Sequence, residues 1–285
     1  CVYLFRALRD LHSFPTRRSS DLLPATEREK LDPVDPSSIY EVIKILDGVP
    51  IFFEAHMARL RQSLRLSGAS MPFTEAEILS DIRRLAEATR CGCVNARILL
   101  TFMADRPGLR IDFFRTEPPD AAACARGVRT ILFSGERETP NVKTLGDSFK
   151  ERVRAALTAA SAYEALLLDE QGNITEGSRS NLFFLREGRL HTPPAERVLL
   201  GVTRRKVMDL CRAHGIAVTE ECLHRSGLDA LQGAFITGTT VDVLPVAAIG
   251  ELRLESAASP VIQKIIREFA REVARYVEQR RSASG

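Results

Sequence analysis

The chain has 285 residues, 45% of them hydrophobic and 27% charged, an ordinary balance for a soluble globular protein of about two domains. Forty basic residues against 37 acidic ones leave a net charge of +3, which gives no argument for a nucleic-acid or membrane partner. No apolar run approaches the ~18 residues of a membrane span. Six cysteines without a secretory signal read as reduced thiols of a cytoplasmic protein. Cys91-Gly-Cys93 has no second Cys/His pair at ligand spacing, so no metal site is expected.

The chain opens on Cys1, and His12–Leu22 (HSFPTRRSSDL) resembles the translation of a common sequencing-library adapter. Residues 1–22 are therefore set aside as non-native. Residues 23–36 are polar and contain proline, which reads as a loop. Ile39–Leu46 alternates as a strand, and Asp47-Gly48 turns the chain into Val49–Phe53. Met57, Leu60 and Leu64 place one apolar face on a helix over Glu54–Leu66. Thr74 and Glu77 form a capping box for a second helix, and strands are expected at Ala96–Phe102 and Leu109–Arg115. Glu117-Pro118-Pro119-Asp120 and Ala121–Ala123 make the best linker, which gives a small domain over 23–118 and a larger one over 119–285.

The second domain begins with a strand at Val128–Phe133, a loop through Asn141-Val142-Lys143, and a helix over Asp147–Ala162. A hairpin follows over Tyr163–Phe184, with its turn at Asp169–Asn173. Gly201-Val202-Thr203 opens a helix that stops at Gly215. Strands are then expected at Ile216–Leu223 and Ala234–Thr237, and a long helix over Val261–Val277. Without strict βαβ alternation the fold class is α+β.

The second arm of the 163–184 hairpin carries Glu176, Ser178 and Ser180, which period-2 alternation would put on one face. A carboxylate on a core strand is costly unless something pairs with it. Lysine is scarce, and Lys143 stands in a loop before a helix, where partial burial would favour the neutral amine that Schiff-base chemistry needs. The helix start at Val202-Thr203 and the turn Thr237-Gly238-Thr239-Thr240 offer N–H groups and hydroxyls to a phosphate. Arg59 lies on the first helix beside Leu60. Singly, each has an ordinary explanation: a solvated lysine, common turn punctuation, a surface arginine. Together they match pyridoxal phosphate, which needs a lysine, an acidic partner for its pyridinium nitrogen and a phosphate cup.

YEVIKILDGVPIFFEAHMARL, NVKTL, EALLLDEQGNITEGSRSNLFF, LLGVTRRKV and FITGTTVDVLPV resemble, in order, the class IV (fold-type IV) pyridoxal-phosphate-dependent aminotransferases. That family includes branched-chain and D-amino-acid aminotransferases and aminodeoxychorismate lyase. The resemblance implies a two-domain enzyme, a small N-terminal domain and a larger cofactor-binding one, with pyridoxal 5'-phosphate held between them. It assigns Lys143 as the Schiff-base lysine, Glu176 as the ring-nitrogen partner, and Arg59, Val202, Thr203, Thr239 and Thr240 as phosphate ligands. Tyr40 and Arg179 are expected to face substrate. The expected reaction moves an amino group between an amino acid (branched-chain L- or a D-amino acid) and a 2-oxo acid, in a cytoplasmic homodimer. The alternatives are the 4-aminobenzoate-forming lyase and a non-catalytic relative. The Arg-x-His pair of D-amino-acid aminotransferases is not found after Phe102, and Arg179 fits neither branch well.

Overall fold

A computed structural model describes residues 25–27, 38–90, 92–103, 106–114, 121–135 and 148–283. The described residues divide into two compact units, the first made of those up to 114 with 273–283, the second of those from 121 to 272.

The first unit is a five-stranded antiparallel sheet in the order β1-β5-β4-β2-β3. Its strands are β1 (Ala25–Glu27), β2 (Ile39–Leu46), β3 (Val49–Pro50), β4 (Cys93–Met103) and β5 (Arg106–Phe114). Asp47 and Gly48 both take positive φ, 49° and 80°, the requirement of the two-residue turn that joins β2 to β3. Helices α1 (Phe53–Leu66) and α2 (Glu75–Thr89) supply Met57, Leu60, Leu64, Ile78 and Ile82 to the core. Alternate sheet residues Ile43, Ile45, Ile98 and Ile111 meet them there. The Thr74–Glu77 capping box forms in both directions, as its sequence predicts.

The second unit contains α3 (Ala121–Arg126), β6 (Val128–Ser134), α4 (Ser148–Ala160), β7 (Glu164–Leu168), β8 (Asn173–Gly177), β9 (Asn181–Arg186) and β10 (Arg189–Thr192). It continues with α5 (Val202–Ala213), β11 (Val218–Glu220), β12 (Leu223–His224), β13 (Gly233–Gly238), β14 (Asp242–Ile249), β15 (Leu252–Arg253) and the first half of α6 (Pro260–Ser282). The sheet order is β11-β10-β9-β13-β14-β6-β7-β8-β12, with β15 on β14. The β14–β6, β6–β7 and β10–β11 pairs are parallel and the rest antiparallel. β11 and β12 stand at opposite ends of this order, yet three residue steps separate Glu220 from Leu223. Three steps reach about 11 Å at most, so the sheet must curl until its two edges approach. Leu166, Leu168, Leu182, Phe184, Ile236 and Leu244 fill its interior.

Four sequence expectations change. The alanines 121–123, expected in a linker, form the first turn of α3, as good helix formers do once a helix has begun. The strand expected over Ile216–Leu223 is two short edge strands, because its ends join different partners, β10 and β8. The arm after the 169–173 turn is not one strand. β8 pairs with β7, the chain bends at residues 178–180, and β9 crosses to β10 and β13. Finally, all of 119–285 is expected in the second domain, whereas α6 from Val273 on packs in the first unit. There the Tyr276 hydroxyl donates to Glu54 Oε2 (2.9 Å) and accepts the Phe53 N–H (3.1 Å), and its ring meets Phe52 edge-on.

Candidate active site

In the second unit the β7–β8 hairpin carries two carboxylates that are all but fully buried, Glu164 at 1% exposure and Glu176 at 3%. The hairpin turn is pinned by Asp169, which accepts from the Asn173 backbone N–H (2.7 Å) and side chain (2.9 Å) and from Arg197 (2.8 Å). Glu164 accepts hydrogen bonds from Ser178 Oγ (2.6 Å), Ser180 Oγ (2.7 Å) and the Ala165 N–H (2.9 Å). Hydrogen bonds to a charged group are worth roughly 1.5–3 kcal/mol each, so this set fixes the 178–180 bend firmly. A Cβ on Gly177 would fall on Ser180 Oγ and lie 3.2 Å from Glu164 Cδ, which explains glycine at the bend. The bend also breaks the alternation expected from sequence. Ser178 and Ser180 turn to Glu164, while Glu176 turns elsewhere.

Glu176 Oε2 accepts the N–H of Leu199 at 3.0 Å, and Asn181 Nδ2 donates to the carbonyl of the same residue at 2.8 Å. Two residues beyond Leu199 is Gly201, which takes the N-cap position of α5 without a side-chain cap. The N–H groups of the first turn of a helix have no intrahelical acceptor. Val202 and Thr203 stand there, both buried, where the dipole and the unused donors suit an anion. Arg204, also buried, ties that first turn to the carbonyl of Pro193 (2.9 Å) and to Glu220 (2.8 Å). Asn181 is in register with Thr237 on β13, and β13 runs directly into the half-buried turn at Thr239 and Thr240. Thr237 Oγ1 is buried with no hydrogen-bond partner among the described residues. The structure thus brings together Glu176, Val202-Thr203 and the Thr237–Thr240 strand end. A buried carboxylate, an uncapped helix start and an orphaned hydroxyl fit the ring nitrogen and phosphate of pyridoxal phosphate.

In the first unit, β2 alternation turns Glu41 toward α1. Arg59 is mostly buried and meets Glu41 side-on, Nε to Oε2 at 2.8 Å and Nη2 to Oε1 at 2.5 Å. His56, one turn earlier on α1, reaches Glu41 Oε1 at 3.1 Å. Burial alone would raise the Glu41 pKa, but the Arg59 charge and the hydrogen bonds from His56 and Arg59 outweigh it and hold the carboxyl well below its ordinary 4.5. Tyr40, the neighbouring residue on β2, is half-buried and electrostatically coupled to Arg59. Breaking a buried pair from one side leaves an uncompensated charge, so Glu41→Gln should lower unfolding stability by about 3–5 kcal/mol. Because the folded pKa is depressed, the stabilisation is complete above pH 4.5 and is lost as pH falls through the folded value. The melting temperature of the wild type should therefore fall more steeply below pH 4.5 than that of Glu41→Gln. Parallel curves would rule out this role for Glu41.

A family model described as amino-transferase class IV matches residues 38–249. The chain belongs to the class IV aminotransferase family. It is 28% identical over 238 residues to a D-alanine aminotransferase of Bacillus licheniformis, covering 79% of this chain and 83% of that one. It is 27% identical over 257 residues to a branched-chain-amino-acid aminotransferase of Salmonella typhimurium, covering 82% and 83%. Among solved structures, a T.th. branched-chain amino acid aminotransferase with pyridoxamine 5'-phosphate matches with a TM-score of 0.74 at 25% identity, covering 83% of this chain and 85% of that one. The α+β, fold-type IV architecture implied by the resemblance is the one observed.

Within this aminotransferase, Lys143 and the rest of NVKTL lie outside the described residues. Arg179 turns to Tyr163: Nη2 donates to the Tyr163 carbonyl at 2.6 Å, the guanidinium sits 5.0 Å from the ring centroid, and the side chain stays 63% exposed. Sequence reasoning missed Glu164, Asn181 and Arg204 around the β7–β8 hairpin and the start of α5, and Glu41 as the partner of Arg59 in the first unit. Glu41 and Glu164 each follow a tyrosine at the start of an otherwise apolar strand, and a carboxylate in an apolar strand is the same signal that singles out Glu176. Asn181 and Arg204 gave none, since their partners are backbone carbonyls and a distant glutamate.

Proposed function

We propose that this pyridoxal-phosphate-dependent aminotransferase moves an amino group between a branched-chain L- or a D-amino acid and a 2-oxo acid, as a homodimer in the cytoplasm. The observation that carries the reading is Leu199: its N–H ties the buried Glu176 carboxylate to the segment that starts α5, an arrangement suited to a group with a basic nitrogen at one end and a phosphate at the other.

Pyridoxal phosphate, when bound, supplies the ring that accepts the electron pair freed at the substrate α-carbon. The chain does the rest. Glu176 holds a proton on the ring nitrogen, as a carboxylate stabilises a cation beside it. Val202, Thr203, Thr239 and Thr240 donate to the phosphate, and Arg59 balances its charge. Lys143, as a neutral amine, would take the proton from the donor's α-carbon and deliver it to C4′ of the cofactor, and in the reverse half-reaction would carry it to the α-carbon of the 2-oxo acid. In this reading Tyr40 and Arg179 face the substrate.

A donor panel tests the reading: L-leucine, L-valine, D-alanine and D-glutamate, each with 2-oxoglutarate or pyruvate, beside an aminodeoxychorismate assay. Turnover of a donor with release of its 2-oxo acid is expected. Formation of 4-aminobenzoate with no transamination would move the protein to the lyase branch. Sedimentation of the purified protein at monomer mass would remove the dimer.

A further inference from the structure

We propose that Asn181 is a positioning residue that sets the anion-binding start of α5 by clamping the turn before it, an inference that rests on the function proposed above. Its side chain reads that turn twice. Nδ2 donates to the Leu199 carbonyl at 2.8 Å, and the same carbonyl accepts the Gly201 N–H at 2.7 Å, which closes a tight turn around Leu200. The amide oxygen packs against Gly201, where a Cβ would fall on Asn181 Oδ1 and lie 3.2 Å from Cγ. Gly201 has φ −62°, a conformation open to any residue, so its backbone does not require glycine. The close approach of Asn181 does. With the Leu199 N–H held by Glu176 and its carbonyl by Asn181, this residue fixes how far the donors of Val202 and Thr203 stand from the Glu176 carboxylate.

Asn181 is 5% exposed and opens β9 directly after the bend held by Glu164. It is paired in register with Thr237, the strand residue that leads into the second phosphate turn. Both phosphate segments are thus referred to one asparagine, whose side chain holds Leu199 and packs on Gly201.

The test compares wild type, Asn181→Ala, Gly201→Ala and the double variant. Each is prepared as holoenzyme, stripped, and titrated by equilibrium dialysis with pyridoxal phosphate and with pyridoxal, which lacks the phosphate. Asn181→Ala should weaken pyridoxal phosphate about tenfold, the effect of one buried hydrogen bond, and leave pyridoxal unchanged. Gly201→Ala should be at least as damaging in the wild-type background but add nothing in Asn181→Ala, where the collision is gone. A purely structural asparagine would lower the melting temperature and weaken both ligands alike, and that result overturns the proposal. So does a Gly201→Ala cost that is the same in both backgrounds. The same non-additivity is read in thermal unfolding of the stripped proteins. If the wild type binds no pyridoxal phosphate, the proposed function fails, while the clamp stands or falls on that melting cycle.

Discussion

Lys143→Ala should yield a folded protein that no longer holds its cofactor covalently and that transaminates at least about 10²–10⁴-fold more slowly, the range for loss of a positioned proton carrier. The chain has six lysines, so the alternatives can be examined one by one. Lys206 lies 3.7 Å from Glu272 Oε1, an ion pair within the second unit. Lys44 is buried in the sheet of the first unit, and Lys150 and Lys264 lie on helices. Lys30 precedes the first family motif. The check is the absorbance band of the purified enzyme and its fixation by borohydride, followed by mass analysis of the modified peptide. Lys206→Ala should keep the band. Should the band survive in Lys143→Ala, the assignment is wrong, and Lys44 becomes the residue to replace next.

Glu176 is expected to show two separable losses, because it has two partners to serve in the site. Its Oε2 accepts the Leu199 N–H, while its charge is the one proposed to hold a proton on the ring nitrogen. Glutamine keeps an acceptor for Leu199 but removes the charge. Glu176→Gln should therefore retain most of its cofactor affinity and lose about 10²–10³ in kcat, the scale of one preorganised electrostatic partner. Alanine removes both functions, so Glu176→Ala should lose cofactor affinity as well. Measuring kcat at saturating cofactor beside the cofactor dissociation constant separates the two effects. A Glu176→Gln enzyme with wild-type kcat would leave this glutamate as a clamp on Leu199 and nothing more.

Local pattern accounts for much of what was legible. The Thr74–Glu77 box, the Asp47-Gly48 turn and the helix start at Val202 are decided within a few residues, and each formed where expected. The 163–184 arm was misread for the opposite reason. Nothing local distinguishes a continuous polar strand from two strands parted by a bend, since the bend depends on Glu164, fourteen residues before Ser178 in sequence. Arg59 is similar. Beside Leu60 on a helix it could be solvated or inward-facing, and the choice was made by Glu41 on another element.

By itself, then, the sequence determined most of the helices and strands, the local caps and turns, the family and the residue types that suit pyridoxal phosphate, because propensity, periodicity and short motifs act over one or two turns of chain. Only the tertiary structure decided which of those residues share a partner. Glu176 and Asn181 close on one residue, Leu199, because a bend and a strand crossing bring them to it. Glu41 gathers His56 and Arg59 because burial leaves a carboxylate no water to turn to. Such pairings are long-range, set by what the core can and cannot leave unsatisfied.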